Sequence, residues 1–328
     1  MTNPGASAAG AGNLRRVRVM ARRSEARDVW GLDLVAEDGG ALASFSAGAH
    51  VEVHLPEGFV RQYSLCGDPA DRARYSLAVL EEPESRGGSR AMCGLQVGDV
   101  LSISEPRNHF PLAGSAARSL LIAGGIGITP LLAMAHALRR AGAPFELHYC
   151  ARTPERAAFL EELGARFAGA VQLHFDDGPE AQRFQAVQAI GAPRAGEHLY
   201  VCGPSGLIDH VLETARKLAW PEQQLHCERF TAEAPEVQEG DRPFEVELAS
   251  SGLVVNVEVG QSIAEALLEQ GVEVPTSCEG GVCGTCVVRV LRGTPDHRDT
   301  YLTAAEHAER LITTCCSRAK SARLVLDL

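Results

Sequence analysis

A chain of 328 residues with 45% hydrophobic side chains is long enough for two or three domains, each with its own core. Its formal net charge of −11 excludes the broad basic surface that nucleic acid requires. The first residues carry no secretory signal and no apolar run is long enough to span a bilayer, so a reducing, cytoplasmic setting is expected and disulfides are not.

Residues 1–13 are small and glycine- and alanine-rich, and read as a disordered tail. Arg15, Arg16, Arg22 and Arg23 read as a solvated basic patch. From 14 to 112 the pattern alternates with period two. Val17–Met20, Val51–Leu55, Tyr75–Leu80 and Val100–Ser104, separated by turns such as Gly98-Asp99, predict the strands of a small antiparallel β-barrel. Arg61-Gln-Tyr-Ser-Leu65 places a guanidinium, a phenol and a hydroxyl close together. Arginine pairs with phosphate, and tyrosine stacks on or hydrogen-bonds to a ring. Arg86-Gly-Gly-Ser-Arg90 precedes a short helical stretch, a second anion-binding arrangement. Taken singly, each is equally a strand salt bridge or an ordinary loop.

From 113 to 232 strands alternate with helices. Leu120–Ala123, Phe145–Cys150, Val171–Phe175 and His198–Cys202 are strand candidates of a parallel α/β domain. A helix over Leu131–Arg140 is expected, with Thr129 as N-cap, Pro130 at the first helical position and Gly142 as the stop. Ala123-Gly-Gly-Ile-Gly-Ile-Thr-Pro130 joins a strand to that helix, where glycines let a pyrophosphate approach the backbone. The full G-x-G-x-x-G pattern is not present, because Pro130 holds the last glycine position. A second glycine turn, Cys202-Gly203-Pro204, follows another strand, and two such turns can frame one dinucleotide. Arg152 suits the 2′-phosphate of NADPH, whereas Asp176 and Asp177 suit the ribose of NADH, so the two signals conflict.

Residues 233–241 read as a polar acidic linker. In 242–328, Phe244–Leu248 and Leu253–Val259 alternate about Ser251-Gly252 as a hairpin. Ser262-Ile-Ala-Glu265 is a capping box for a helix that stops at Gly271. The cysteine run follows: Cys278-x₄-Cys283-x₂-Cys286, with Cys315-Cys316 downstream. This is the plant-type spacing for a [2Fe–2S] cluster, and Gly280, Gly281 and Gly284 let backbone N–H groups turn toward sulfur. Zinc is the main rival, but it usually takes C-x₂-C pairs on both sides of the site and one pair is present. A Rieske centre needs histidines paired with cysteines, and no such pair occurs. Hairpin, helix and cluster loop fit a small β-grasp ferredoxin domain. The fourth ligand is Cys315 or Cys316, and spacing does not choose. Cys66, Cys93, Cys150, Cys202 and Cys227 read as buried or near-site thiols.

The order Arg-x-Tyr-Ser, Gly-Gly-Ser, Gly-Gly-Ile-Gly-Ile-Thr-Pro, Cys-Gly-Pro and Glu228-Arg-Phe230 resembles the ferredoxin–NADP reductase superfamily. With the cluster domain last, residues 14–328 resemble the phthalate dioxygenase reductase and vanillate demethylase reductase family. Asp296-His-Arg-Asp299 and Cys315-Cys-Ser-Arg-Ala-Lys-Ser fit it too. The resemblance implies a multidomain chain with a β-barrel flavin domain (14–112), an α/β nucleotide domain (113–232) and a ferredoxin domain (242–328). It implies FMN on Arg61, Tyr63, Ser64, Gly87, Gly88 and Ser89. It implies NAD(P) on Gly124, Gly125, Gly127, Thr129, Cys202, Gly203 and Pro204, with a lean toward NADH, and Phe230 over the flavin face that nicotinamide enters. The family's fourth cluster ligand lies two positions before Ser-Arg, which gives Cys278, Cys283, Cys286 and Cys315. Asp296 and His297 would order a loop and not bind metal. The implied activity is that of a monomeric reductase for a Rieske-type aromatic-ring oxygenase or O-demethylase, with no membrane and no nucleic acid partner. The alternatives are a reductase for another acceptor, such as a haem monooxygenase, and a redox-sensing or zinc-stabilised binding module without turnover.

Overall fold

The computed structural model describes residues 14–55, 60–82, 87–114, 116–230, 237–276, 280–281, 284–299 and 301–328. The expected tail, residues 233–236 of the linker, Arg86, and Cys278 and Cys283 lie outside the described residues. Two compact units divide the chain, Met1–Glu228 and Arg229–Leu328.

The first unit opens with six antiparallel strands: β1 (Arg15–Ala26), β2 (Val29–Ala36), β3 (His50–His54), β4 (Val60–Ser64), β5 (Tyr75–Leu80) and β6 (Val100–Ile103). A short helix, α1 (Gly88–Gly94), lies between β5 and β6. The strand order is β4-β3-β6-β1-β2-β5. The outer strands draw together where Cys66 N–H donates to Ser76 O at 2.9 Å, so the sheet curls into a barrel. Alternation sets the faces: Val17 and Val19 point inward between outward Arg16, Arg18 and Met20. With Leu32, Leu34, Val51, Val53, Leu77 and Met92 they form the barrel core. The arginines of β1 are not all solvated as expected. Arg22 lies over the Trp30 ring at 3.4 Å, and Arg23 donates to the buried Asp33 carboxylate at 2.7 Å. The cause is register, because β2 places Trp30 and Asp33 alongside them.

Five parallel strands follow: β7 (Arg118–Gly124), β8 (Phe145–Ala151), β9 (Val171–Phe175), β10 (Glu197–Cys202) and β11 (Leu225–Glu228). Their order is β11-β10-β7-β8-β9, with helices α2 (Ile128–Ala141), α3 (Leu160–Phe167), α4 (Ala186–Ile190) and α5 (Ser205–Lys217) in the connections. Six of the seven residues of β7 are buried, as a strand covered on both faces requires. The winding direction reverses between β7 and β10. In doubly wound sheets, ligands bind at that reversal, outside the carboxyl ends of the strands. Barrel residues Val29, Ala47, Cys66, Ala78 and Phe110 share one buried cluster with Ile128, Leu131, Leu132 and Met134 of α2. Gly48 (φ 90°) permits this contact, since a Cβ there would lie 2.0 Å from Phe110 O.

The second unit contains β12 (Phe244–Leu248), β13 (Val254–Val257), β14 (Val287–Arg292), β15 (Pro295–Asp296), β16 (Leu311–Thr313), β17 (Arg318–Ala319) and β18 (Arg323–Leu326). The main sheet runs β13-β12-β18-β14-β16, with β12 and β18 parallel, and β15 pairs with β17. Helix α6 (Ile263–Glu269) packs Ile263, Ala266 and Leu267 on Val246, Val257, Leu324 and Leu326. Its Ser262–Glu265 capping box is formed, and α7 (Ala304–Ala308) has the same device in Thr303 and Glu306. Asp241 corrects the linker reading. Its carboxylate is 6% exposed and pairs with Arg298 and Arg318, so the segment is anchored at its end.

Candidate functional site

The two glycine turns meet backbone to backbone at the reversal point. A Cβ on Gly127 would lie 2.3 Å from Cys202 O and 2.6 Å from Gly203 N. A Cβ on Gly203 would lie 2.9 Å from Gly124 Cα, and one on Gly124 would meet Leu207 and Pro204. Gly124, Gly125, Gly127, Cys202, Gly203 and Pro204 therefore come together, joined by the β7–β10 pairing of Ala123 with Cys202. Thr129 departs from expectation. Gly125–Gly127 already wind as a helical turn, α2 starts at Ile128, and Gly127 is the N-cap. The buried Thr129 hydroxyl instead donates back to Ile126 O at 3.0 Å. Pro130 still falls in the first turn, where its missing N–H costs nothing. Gly142 ends the helix with φ 64°, as expected.

On the barrel side, β4 carries Arg61, Tyr63 and Ser64. The Arg61 side chain lies across Gly88 at the start of α1, where a Cβ would be 2.7 Å from its Nε. Gly87 precedes it with φ 112°, and the Ser89 hydroxyl accepts from Glu82 N–H at 3.3 Å. Tyr63 packs on the barrel core, and burial pushes its phenol up.

A further residue ties the two sheets together. Glu228 ends β11 beside Cys202 of β10, and Ser64 Oγ donates to its Oε2 at 3.4 Å. Burial raises the Glu228 carboxyl to about 8, and the Ser64 hydrogen bond opposes this only in part. Burial likewise pushes the Cys202 thiol well up, so it is no thiolate. In the sequence, Glu228 stands within Glu-Arg-Phe with no role assigned to it. The available signal was a carboxylate closing a strand next to a glycine turn. Phe230 falls in the second unit and is 37% exposed. Arg152, Asp176 and Asp177 are exposed together, because Asp177 N–H donates to Arg152 O at 3.2 Å.

In the second unit Cys286, Cys315 and Cys316 form one buried group. Thr314 secures it, donating to Cys286 O from both N–H (3.2 Å) and Oγ1 (3.1 Å). Gly281 (φ 75°) and Gly284 (φ 77°) have no room for a side chain. A Cβ would lie 2.4 Å from Cys316 Sγ at the first and 2.2 Å from the Tyr301 ring at the second. Cys316 Sγ lies 3.2 Å from Thr313 Oγ1 and 3.9 Å from Ser317 Oγ. Its thiol is lowered to about 7, first by a hydrogen bond with Cys315. Gathered, buried thiols fit the donor set of an iron–sulfur cluster. Both Cys315 and Cys316 lie in the group, so the geometry does not choose between them.

Residues 246–320 match the family described as a 2Fe-2S iron-sulfur cluster binding domain. The chain is 51% identical over 315 residues to vanillate O-demethylase oxidoreductase of Pseudomonas sp. strain HR199, covering 95% of this chain and 99% of the relative. The solved structure of phthalate dioxygenase reductase, described as a modular structure for electron transfer from pyridine nucleotides to [2Fe–2S], matches with a TM-score of 0.73 and 39% identity. That match covers 96% of this chain and 98% of the other. An intact type IV self-sufficient cytochrome P450 monooxygenase matches with a TM-score of 0.79 and 39% identity, over 96% of this chain and 41% of that one. Among the described residues, no helix is long and apolar enough to cross a membrane.

Proposed function

The chain belongs to the phthalate dioxygenase reductase and vanillate O-demethylase reductase family, and we propose that it is the reductase component of a Rieske-type aromatic-ring oxygenase or O-demethylase. Electrons pass from NADH by way of FMN and a [2Fe–2S] cluster to the oxygenase. A flavin accepts the two electrons of a hydride and gives them up singly, which joins a two-electron donor to a one-electron cluster. Arg61, with Gly87, Gly88 and Ser89, holds the flavin phosphate, while Tyr63 and Ser64 hold the ring and ribityl side. Gly124, Gly125, Gly127, Gly203 and Pro204 let the pyridine nucleotide lie against bare backbone. Thr129 and Cys202 hold those turns in shape from within. Glu228, neutral below about pH 8, adds no negative charge beside an anionic coenzyme. Cys278, Cys283, Cys286 and Cys315 are the cluster ligands, with Cys316 turned to the hydroxyls of Thr313 and Ser317. The three domains span 14–112, 113–232 and 242–328, and the chain acts as a cytoplasmic monomer.

The observation that carries this reading is the chain of contacts at the sheet reversal: Ser64 to Glu228, Glu228 beside Cys202, and Cys202 against Gly127. The test is anaerobic reduction by NADH followed in the visible spectrum, with and without a purified Rieske oxygenase. Flavin and cluster bands should bleach, and the Rieske centre should then be reduced. A reduced cluster that passes electrons to no Rieske centre would sink the assignment. The match to a cytochrome P450 chain supports a second reading, in which the acceptor is a haem monooxygenase. Transfer to a P450 haem with none to a Rieske centre would select it.

A further inference from the structure

Away from the sites above, three side chains of the second unit converge. The donor atoms of His297, Asp299 and His307 lie within 4.8 Å of one another. The first two follow β15, and the third is on α7, which its capping box holds in place. The two imidazoles stack with centroids 3.8 Å apart and planes 22° from parallel. The Asp299 side chain is fully buried beneath them. Its Oδ2 accepts the Leu302 N–H at 2.7 Å and also lies 3.4 Å from His307 Nε2. His307 Nε2 is 3.3 Å from Oδ1, and His297 Nδ1 is 4.0 Å from it. That second distance is too long for a hydrogen bond. His297 Nδ1 is buried and has no hydrogen-bond partner among the described residues. Arg298, between the two, points elsewhere, to Asp241 and Asp296. Among the described residues, His297 and His307 are the basic side chains that come within 4.0 Å of the Asp299 carboxylate.

We propose that His297 Nδ1, Asp299 Oδ1 and His307 Nε2 bind one divalent transition-metal ion of the zinc, iron(II) or cobalt(II) class, at a site separate from the cysteines. Two imidazoles and one carboxylate are the donor set of three-ligand sites that keep a position open to water. Tetrahedral ligands at zinc distances stand about 3.4 Å apart. The His307–Asp299 pair already meets this, and His297 joins them when its ring turns out of the stack, so that the lone pairs of both imidazoles converge on one ion. The Leu302 N–H on Oδ2 is the outer support that fixes a ligating carboxylate. Both histidines keep an edge in solvent, so an ion can enter. The site backs onto the cysteine loop, since a Cβ on Gly281 would touch both Asp299 Cα (2.8 Å) and Cys316 Sγ (2.4 Å).

The test is calorimetric titration of zinc chloride into the chain with its cluster intact, while the visible iron–sulfur absorbance is recorded. One zinc per chain should bind with that absorbance unchanged. His307→Gln should weaken binding by at least about 10-fold, since losing a ligand exceeds losing its outer support. His297→Gln is the independent second variant, with the same expected loss. The proposal is overturned by no stoichiometric uptake in the parent chain. It is equally overturned by uptake that tracks loss of the iron–sulfur absorbance, or by uptake unchanged in both variants.

Discussion

Between Ser64 and Cys202, Glu228 loses water without gaining a cation among the described residues, and this sets how the folded chain responds to pH. Between its ordinary value near 4.5 and about 8 the folded state keeps a proton that the unfolded state has released. Stability therefore falls as pH rises through that window. In Glu228→Gln this slope should vanish, so urea melts at about pH 5 and about pH 8.5 should differ less than in the parent chain. Gly127→Ala is harsher, because its methyl meets the Cys202 carbonyl, which is backbone and cannot swing aside. It should cost about 1–3 kcal/mol by overpacking. The same shift should weaken NADH about tenfold or more in a binding titration, tenfold corresponding to about 1.4 kcal/mol. At the cluster, Cys315→Ser should lose iron and Cys316→Ser should keep it, as iron analysis would report. The glycines were legible in sequence because a missing side chain is itself a pattern. Glu228 was not, because its environment is assembled from β4, β10 and β11, which only the tertiary fold brings together.

Asp241 shows how a short element can be misread from composition. It stands in an acidic stretch, yet it holds Arg298 and Arg318, whose side chains are 11% and 7% exposed. The Arg298 hydrogen bond draws its carboxyl down to about 2. The stabilisation is thus complete above an ordinary carboxylate value and is lost as pH falls toward 2. Asp241→Asn leaves two largely buried guanidinium groups facing a neutral amide. It should destabilise the second unit by about 3 kcal/mol in a thermal or urea melt. A change there of less than a few tenths would mean the pair is solvated. The capping boxes, by contrast, were readable, because hydroxyl and carboxylate stand three residues apart and meet within one turn. The start of α2 was misplaced for the converse reason. Glycines without side chains wound into helix before Thr129, the position a hydroxyl cap would suggest.

Across the whole molecule, the residues proposed for the flavin and nucleotide and those proposed for the cluster fall into two compact units that share no strand, and this makes the electron path separable. Cys286→Ser should abolish iron–sulfur reduction while NADH still bleaches the flavin at close to the parent rate in stopped flow. Equal loss of both would refute modular wiring. The order of domains could be read because each period change in the sequence marks a new architecture. The metal-binding triad of histidines and Asp299 could not, since its members come from a strand end and a separate short helix. One feature of the second sheet governs how the protein matures. Glu245–Leu248 pair with Arg323–Leu326, and Cys286 and Cys315 both lie in the stretch that this pairing encloses. Such distant partners meet slowly, because the loop entropy is lost before any contact offsets it. Cys286 is set beside Cys315 by the shorter-range pairing of β14 with β16 and by the Thr314 hydrogen bonds, and the β12–β18 pairing then closes the sheet around them. A chain that stalls before the sheet closes leaves those gathered thiols uncovered and open to any oxidant present.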